Sequence, residues 1–165
     1  IGDSMPTFDP ATYRLRVDGL VGAPTSYSLA DLRAMPRAEQ VSDFHCVTGW
    51  SVENVRWAGV RIQDLLERAG ARDGVGALRF VSAEQPYEDS LTLQQALLPD
   101  VMLAYEMDGK PISRPHGAPV RLVMPQMYGY KSVKWVERVE LGRTARPGYW
   151  EEHGYDADAW VGKRR

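Results

Sequence analysis

The chain has 165 residues, with 20 Lys and Arg against 22 Asp and Glu, giving a net charge of −2. That length fits one domain, and so even a charge balance excludes the basic face that a nucleic-acid protein presents. Hydrophobic residues at 44% exclude wholesale disorder, the lone Cys46 excludes a disulfide framework, and no stretch reaches the roughly 18 apolar residues of a membrane span.

Residue 1 is Ile rather than Met and opens no signal-type segment, so a piece of something longer is expected. Residues 13–17 alternate polar and apolar side chains and predict a half-buried strand ended by Asp18-Gly19. Ser28 and Asp31 have the spacing of a capping box and open a short helix limited by Pro36. Residues 39–46 alternate again, with Val41 and Phe44 expected to face inward. A second helix is expected from about Arg61 through Leu65 and Leu66, stopped by Gly70. Residues 78–82 read as a strand, and Thr92 with Gln95 caps a helix over 92–98 that Pro99 closes. Residues 119–124 and 132–141 are rich in β-branched side chains and read as strands. Three short helices scattered among strands predict an α+β fold of mixed sheets, not a doubly wound one. Residues 1–165 read as a single domain, with an aromatic, acidic, aperiodic tail from 146 to 165 packed on it.

Most familiar chemistries lack their motifs. His45, His116, His153 and Cys46 form no zinc spacing, and there is no GxGxxG, no GxxxxGK[ST] and no GxSxG. Cys46 stands where a predicted strand opens into a glycine turn. A lone cysteine is commonly a small buried hydrophobe, but a strand end also holds a side chain rigidly within reach, and a thiolate suits thiophilic metals. His45 is its neighbour on a strand and so points to the opposite face, which makes a Cys46–His45 thiol hydrolase a poor reading and a packing role for His45 the better one. Arg121, Lys131 and Lys134 flank a loop containing Ser132 and Gly129. Such cations fit a phosphate or another anion; equally, alternate charges on strands simply face water.

Taken in order, these segments resemble the molybdenum-cofactor domain of the sulfite oxidase family. The matching stretches are residues 13–19, Cys46-Val47-Thr48-Gly49-Trp50, Arg56-Trp57-Ala58-Gly59-Val60, residues 104–109 leading into His116-Gly117-Ala118-Pro119-Val120-Arg121, and Ser132-Val133-Lys134-Trp135. The resemblance implies a sulfite oxidase-type molybdopterin-binding fold and a pterin dithiolene that holds molybdenum through two sulfurs. It implies Cys46 as the metal ligand, with His116, Arg121, Ser132, Val133 and Lys134 holding the pterin and its phosphate. Glu84 falls where members place a further polar pterin contact, and Tyr87 where sulfite-oxidising members have an active-site tyrosine; an ordinary loop tyrosine is the alternative there.

The reaction so implied is two-electron oxygen-atom transfer to or from a small oxyanion or oxide such as sulfite or a sulfoxide. The alternative is a non-catalytic molybdopterin-binding module of the same fold. Trp50-Ser51 is similar to the bacterial sulfoxide-reducing branch, whereas His116 matches the sulfite oxidases, so the substrate stays open. The family's N-terminal Asn-His or Asn-Tyr segment and its C-terminal immunoglobulin-like dimerisation domain have no match here. The resemblance also implies a haem or other electron-transfer partner encoded elsewhere, and it favours a periplasmic or membrane-associated extracytoplasmic location.

Overall fold

The computed structural model describes residue 1 and residues 4–162. In chain order the elements are β1 (Arg14–Gly19), β2 (Thr25–Ser28), α1 (Leu29–Ala34), β3 (Ala38–His45), β4 (Ser51–Arg61) and α2 (Ile62–Ala69). There follow β5 (Ala77–Ser82), β6 (Glu88–Thr92), α3 (Leu93–Ala96), β7 (Met102–Met107), β8 (Lys110–Pro111), β9 (Arg121–Val123), β10 (Val136–Gly142) and α4 (Tyr149–Glu152). Two short 3-10 turns, Arg114–His116 and Gly129–Lys131, stand before β9 and β10.

One sheet runs β2-β1-β10-β5-β6, and the other runs β3-β4-β7-β8 with β9 also paired to β7. Every pairing is antiparallel except β1 with β10. Alternation in β1 sends Leu15 and Val17 into the main core, where they meet Phe80 and Val139 of the same sheet. Leu32 of α1, Leu65 of α2, and Leu103 and Leu122 of the second sheet complete that core. A smaller cluster, including Val55, Trp57, Met102 and Val123, is packed separately. Two glutamine- or aspartate-completed capping boxes start α1 and α3, each tying down two otherwise free N–H groups. Gly70 ends α2 in the left-handed conformation.

Several expectations need correction. Val41 is exposed, because a period of two puts it on the opposite face from Phe44. The helix over 92–98 is regular only from Leu93 to Ala96. The strand over 132–141 begins at Val136, because Trp135 takes a positive φ of 52° and the chain bends there. Ser132, Val133 and Lys134 therefore sit on a turn. A fourth helix, α4, lies in the tail, and β2, β4, β6, β7 and β8 were not foreseen as strands. Among the described residues no helix is long and apolar enough to cross a membrane.

Candidate functional site

Cys46 follows directly on β3, in a turn that returns to β4. Its N–H donates to the Trp50 carbonyl at 2.8 Å, and its own carbonyl accepts from the Gly49 N–H at 3.0 Å. The side chain is half-buried, with Sγ 2.9 Å from Thr48 Oγ1. The loop separates two cavities. Val47 and Thr48 line one of about 650 Å³ that the tail walls on the far side. Phe44 and Trp50 line another of about 270 Å³. Cys46 itself lines neither cavity, but the turn that carries it is pinned by its main chain and its side chain is only half-buried. His45 Nδ1 lies 2.8 Å from Ser51 Oγ.

The smaller cavity carries the positive charge. His116, Arg121, Ser132 and Lys134 line it opposite Phe44 and Trp50. Arg121 is 5% exposed, yet its guanidinium donates only to main-chain carbonyls: His116 at 2.9 Å, Ser132 at 3.3 Å and Leu122 at 3.3 Å. It lies over the Trp57 ring, 5.0 Å from the centroid. Among the described residues no carboxylate pairs with it, and burial alone pulls its pKa down to about 10. Lys134 donates to the Pro115 carbonyl at 2.9 Å and stands over the Trp135 ring. Burial first, and then the Arg121 charge, lower its pKa also, with Glu84 opposing. Two partly desolvated cations at one cavity are poorly compensated by protein and favour an anion between them.

Ser132, Lys134 and Gly129 line a further cavity of about 490 Å³, together with Glu84 and Tyr87. Ser132 Oγ accepts from the Met124 N–H at 3.0 Å. Glu84 is fixed by its own N–H, which donates to Ser82 Oγ at 3.0 Å. The Tyr87 hydroxyl donates to the Tyr130 carbonyl, and burial, followed by the charges of Asp89, Glu151 and Glu84, raises its pKa. The Val133 side chain is wholly within the main core, so only its main chain can face a ligand. His116 Nδ1 lies 2.7 Å from Ser113 Oγ. Lys131 does not join the other two cations; it is buried against Asp89 and Glu151.

Sequence reasoning assigned no role to Trp57, Gly117 or Gly129. Trp57 was visible within the Arg56-to-Val60 stretch, but nothing in a sequence says that a distant arginine lies over its ring. The two glycines act by lacking a Cβ where Lys134 and Phe44 pass close, and that has no sequence signal.

The donor set fits a molybdenum–pterin cofactor. The chain offers one soft ligand, Cys46, half-buried in the turn between the Phe44 and Trp50 that line the smaller cavity, and among the described residues no group of three or more His, Cys, Asp or Glu could cage an ion unaided. A metal at Cys46 therefore needs a chelate from outside the protein, and the uncompensated guanidinium suits a phosphate on that chelate.

A family model described as the oxidoreductase molybdopterin binding domain matches residues 2–150. The chain belongs to that family. Uncharacterized oxidoreductase YuiH of Bacillus subtilis is 39% identical over 94% of this chain and 79% of its own length. Sulfite oxidase of Gallus gallus is 34% identical over 92% of this chain, which spans 39% of that enzyme. The crystal structure of the sulfane dehydrogenase SoxCD from Paracoccus pantotrophus superimposes with a TM-score of 0.80 at 27% identity, covering 86% of this chain and 41% of that one. This member of the molybdopterin-binding oxidoreductases is thus a molybdopterin-dependent enzyme of sulfite oxidase type, with an α+β fold and molybdenum–molybdopterin as its cofactor. It spans well under half of the sulfite oxidase and of SoxCD.

Proposed function

We propose that the chain carries out two-electron oxygen-atom transfer to or from a small sulfur compound, a sulfite or a sulfoxide, with Cys46 as the protein ligand to molybdenum. The observation that carries this reading is the buried Arg121 guanidinium, without a carboxylate partner among the described residues, at a cavity whose rim bears the turn of the only thiol. When bound, the molybdenum–pterin supplies the redox chemistry. The chain's own contribution is binding and orientation. Arg121 and Lys134 neutralise the pterin phosphate, His116 and Ser132 offer polar contacts, the Val133 main chain closes the turn, and Glu84 meets a polar edge of the pterin. Phe44, Trp50 and Trp57 give the cavity apolar walls that limit water.

Tyr87 is proposed to stand beside the substrate oxygen as a donor, since its surroundings keep its hydroxyl protonated. Reaching a substrate requires giving up the bond to the Tyr130 carbonyl. Reduction of a sulfoxide consumes two electrons and two protons and yields a sulfide and water; oxidation of sulfite with water releases the same. The electrons pass to or from a haem or other carrier on a separate partner, and the proposed location is extracytoplasmic.

The test is Cys46→Ser produced in a host that makes the cofactor. The expected result is a folded protein with no turnover on a panel of sulfite and sulfoxides, and without the thiolate-to-metal absorption that reduction bleaches in the parent. Full turnover by the variant would remove Cys46 from the metal. A parent that binds pterin but turns over none of the panel would favour the binding module instead.

A further inference from the structure

Behind the cavity that holds Glu84 and Tyr87 lies a cluster of charge that the proposed reaction does not use. Lys131, 3% exposed, donates to Asp89 Oδ1 at 2.6 Å and to Glu151 Oε1 at 2.7 Å. Asp89 Oδ1 also accepts from the Ser90 N–H at 2.7 Å. The remaining oxygens, Asp89 Oδ2 and Glu151 Oε2, are buried and have no hydrogen-bond partner. Their other oxygens, Oδ1 and Oε1, both touch the one Lys131 ammonium, so the two carboxyl groups lie side by side. One ammonium against two carboxylates leaves an excess negative charge in a buried space, which is strongly unfavourable. A single proton shared between the two carboxyl groups removes that excess charge.

We propose that Asp89 and Glu151 share one proton, and that the neutral triad they form with Lys131 positions the 129–131 turn and helix α4 at the cofactor site. The triad joins three separate elements. Asp89 lies on β6, Lys131 ends the turn that leads straight into Ser132, and Glu151 lies on α4 beside Trp150. Trp150 and Ser132 line the same cavity as Glu84 and Tyr87. The tail approaches so closely that a Cβ on Gly148 would stand 2.8 Å from Asp89 Oδ1. None of the three triad residues lines the proposed cofactor cavities, so they are positioning residues.

The groups bearing on this proton are Lys131 from the turn, Glu151 from α4 and the Tyr87 hydroxyl from the loop before β6. Burial is the largest influence on Asp89; it outweighs the Lys131 charge, is reinforced by the contact with Glu151, and pushes the carboxyl up to about 8. A carboxyl raised on folding contributes stability that is complete below its unfolded value near 4 and is lost as pH rises through the folded value. Above about pH 8 the proton leaves, the carboxylates repel, and α4 loosens from the turn.

Infrared difference spectra of the full chain in H₂O and D₂O test this without any assay of turnover. The expected result is a protonated-carboxyl carbonyl band near neutral pH, sensitive to deuteration, that titrates away around 8 and is absent from both Asp89→Asn and Glu151→Gln. Glu151→Gln removes one of the two carboxylates and supplies an amide N–H donor beside Asp89, so it is expected to fold and to hold the pterin equally at all pH values. In the parent, pterin retention is expected to fall several-fold as the band disappears. A parent without the band overturns the proposal, as does a band that persists in both variants. Should either variant fail to fold, the titration of the parent band decides alone. Loss of the Cys46 assignment would leave these spectra unchanged, so the two readings fail separately.

Discussion

At Gly117 the backbone takes a φ of +106°, and a Cβ there would stand 2.8 Å from Lys134 Cβ and 3.1 Å from Arg121 Cβ. Lys134 and Arg121 approach one cavity only because that position is bare. Gly117→Ala combines a strained left-handed conformation with crowding, and is expected to cost on the order of 2 kcal/mol. The denaturation midpoint measures the first effect, and pterin content measures displacement of the two cations. A variant with the parent's midpoint and full pterin content would show that the site does not depend on this approach. The sequence placed Arg121 and Lys134 near each other through their motifs. It could not say that Lys131, three residues before Lys134, turns inward, because the choice depends on where Asp89 and Glu151 lie in space. Nor could alternation along the chain show that the Arg121 guanidinium lies over Trp57, since the two belong to different strands.

At the scale of elements, the site depends on the Gly129–Lys131 turn resting against β3. A Cβ on Gly129 would come within 2.1 Å of Phe44 Cζ, so the turn touches the aromatic ring that precedes the Cys46 loop. Phe44 in turn packs on Trp50, their ring centroids 5.5 Å apart, and so links both ends of that loop. Gly129→Ala must push the turn and β3 apart, whereas Phe44→Ala opens the space that the new methyl needs. The pair is therefore expected to be less destabilising than the sum of its single changes by about 1–2 kcal/mol. Chemical denaturation of the two single variants and the double variant measures this, and strict additivity would mean that the contact is absent. Local signals did mark α1, through Ser28 and Asp31, and the stop of α2 at Gly70, because caps are made by residues close in sequence. The pieces that went unread have tertiary causes. β6 carries Glu88, Asp89 and Ser90, polar residues that look like loop until the buried partners of Asp89 are seen. β4 has register shifts against both neighbours, which breaks the alternation that identifies a strand.

Across the whole molecule, the parallel pairing of β1 with β10 joins strands more than a hundred residues apart, and no local signal in either strand announces it. A ladder of charge crosses the same sheet. Asp18 of β1 meets Arg16 at 2.8 Å and Arg138 of β10 at 3.1 Å, Arg138 meets Glu140 at 2.6 Å, and Arg79 of β5 meets Glu140 at 3.4 Å and Glu88 of β6 at 2.6 Å. Most of these groups are partly open to water, so isolated pairs among them contribute little. Asp18 differs, because its carboxylate is nearly buried where β1 is joined to β10. Burial pushes its pKa up, but hydrogen bonds from Arg16 and Arg138 outweigh that and hold it below the usual aspartate range. A carboxyl depressed on folding contributes stability that is present above its unfolded pKa and is lost as pH falls through the folded value. Asp18→Asn is therefore expected to lower the melting temperature at neutral pH by about 2–4 °C, corresponding to about 1 kcal/mol. In strong acid, where the parent's carboxyl is also protonated, the difference should close. Melting curves of both proteins from neutral pH into acid measure it, and a gap of constant size would mean that the charge on Asp18 does not hold β1 to β10.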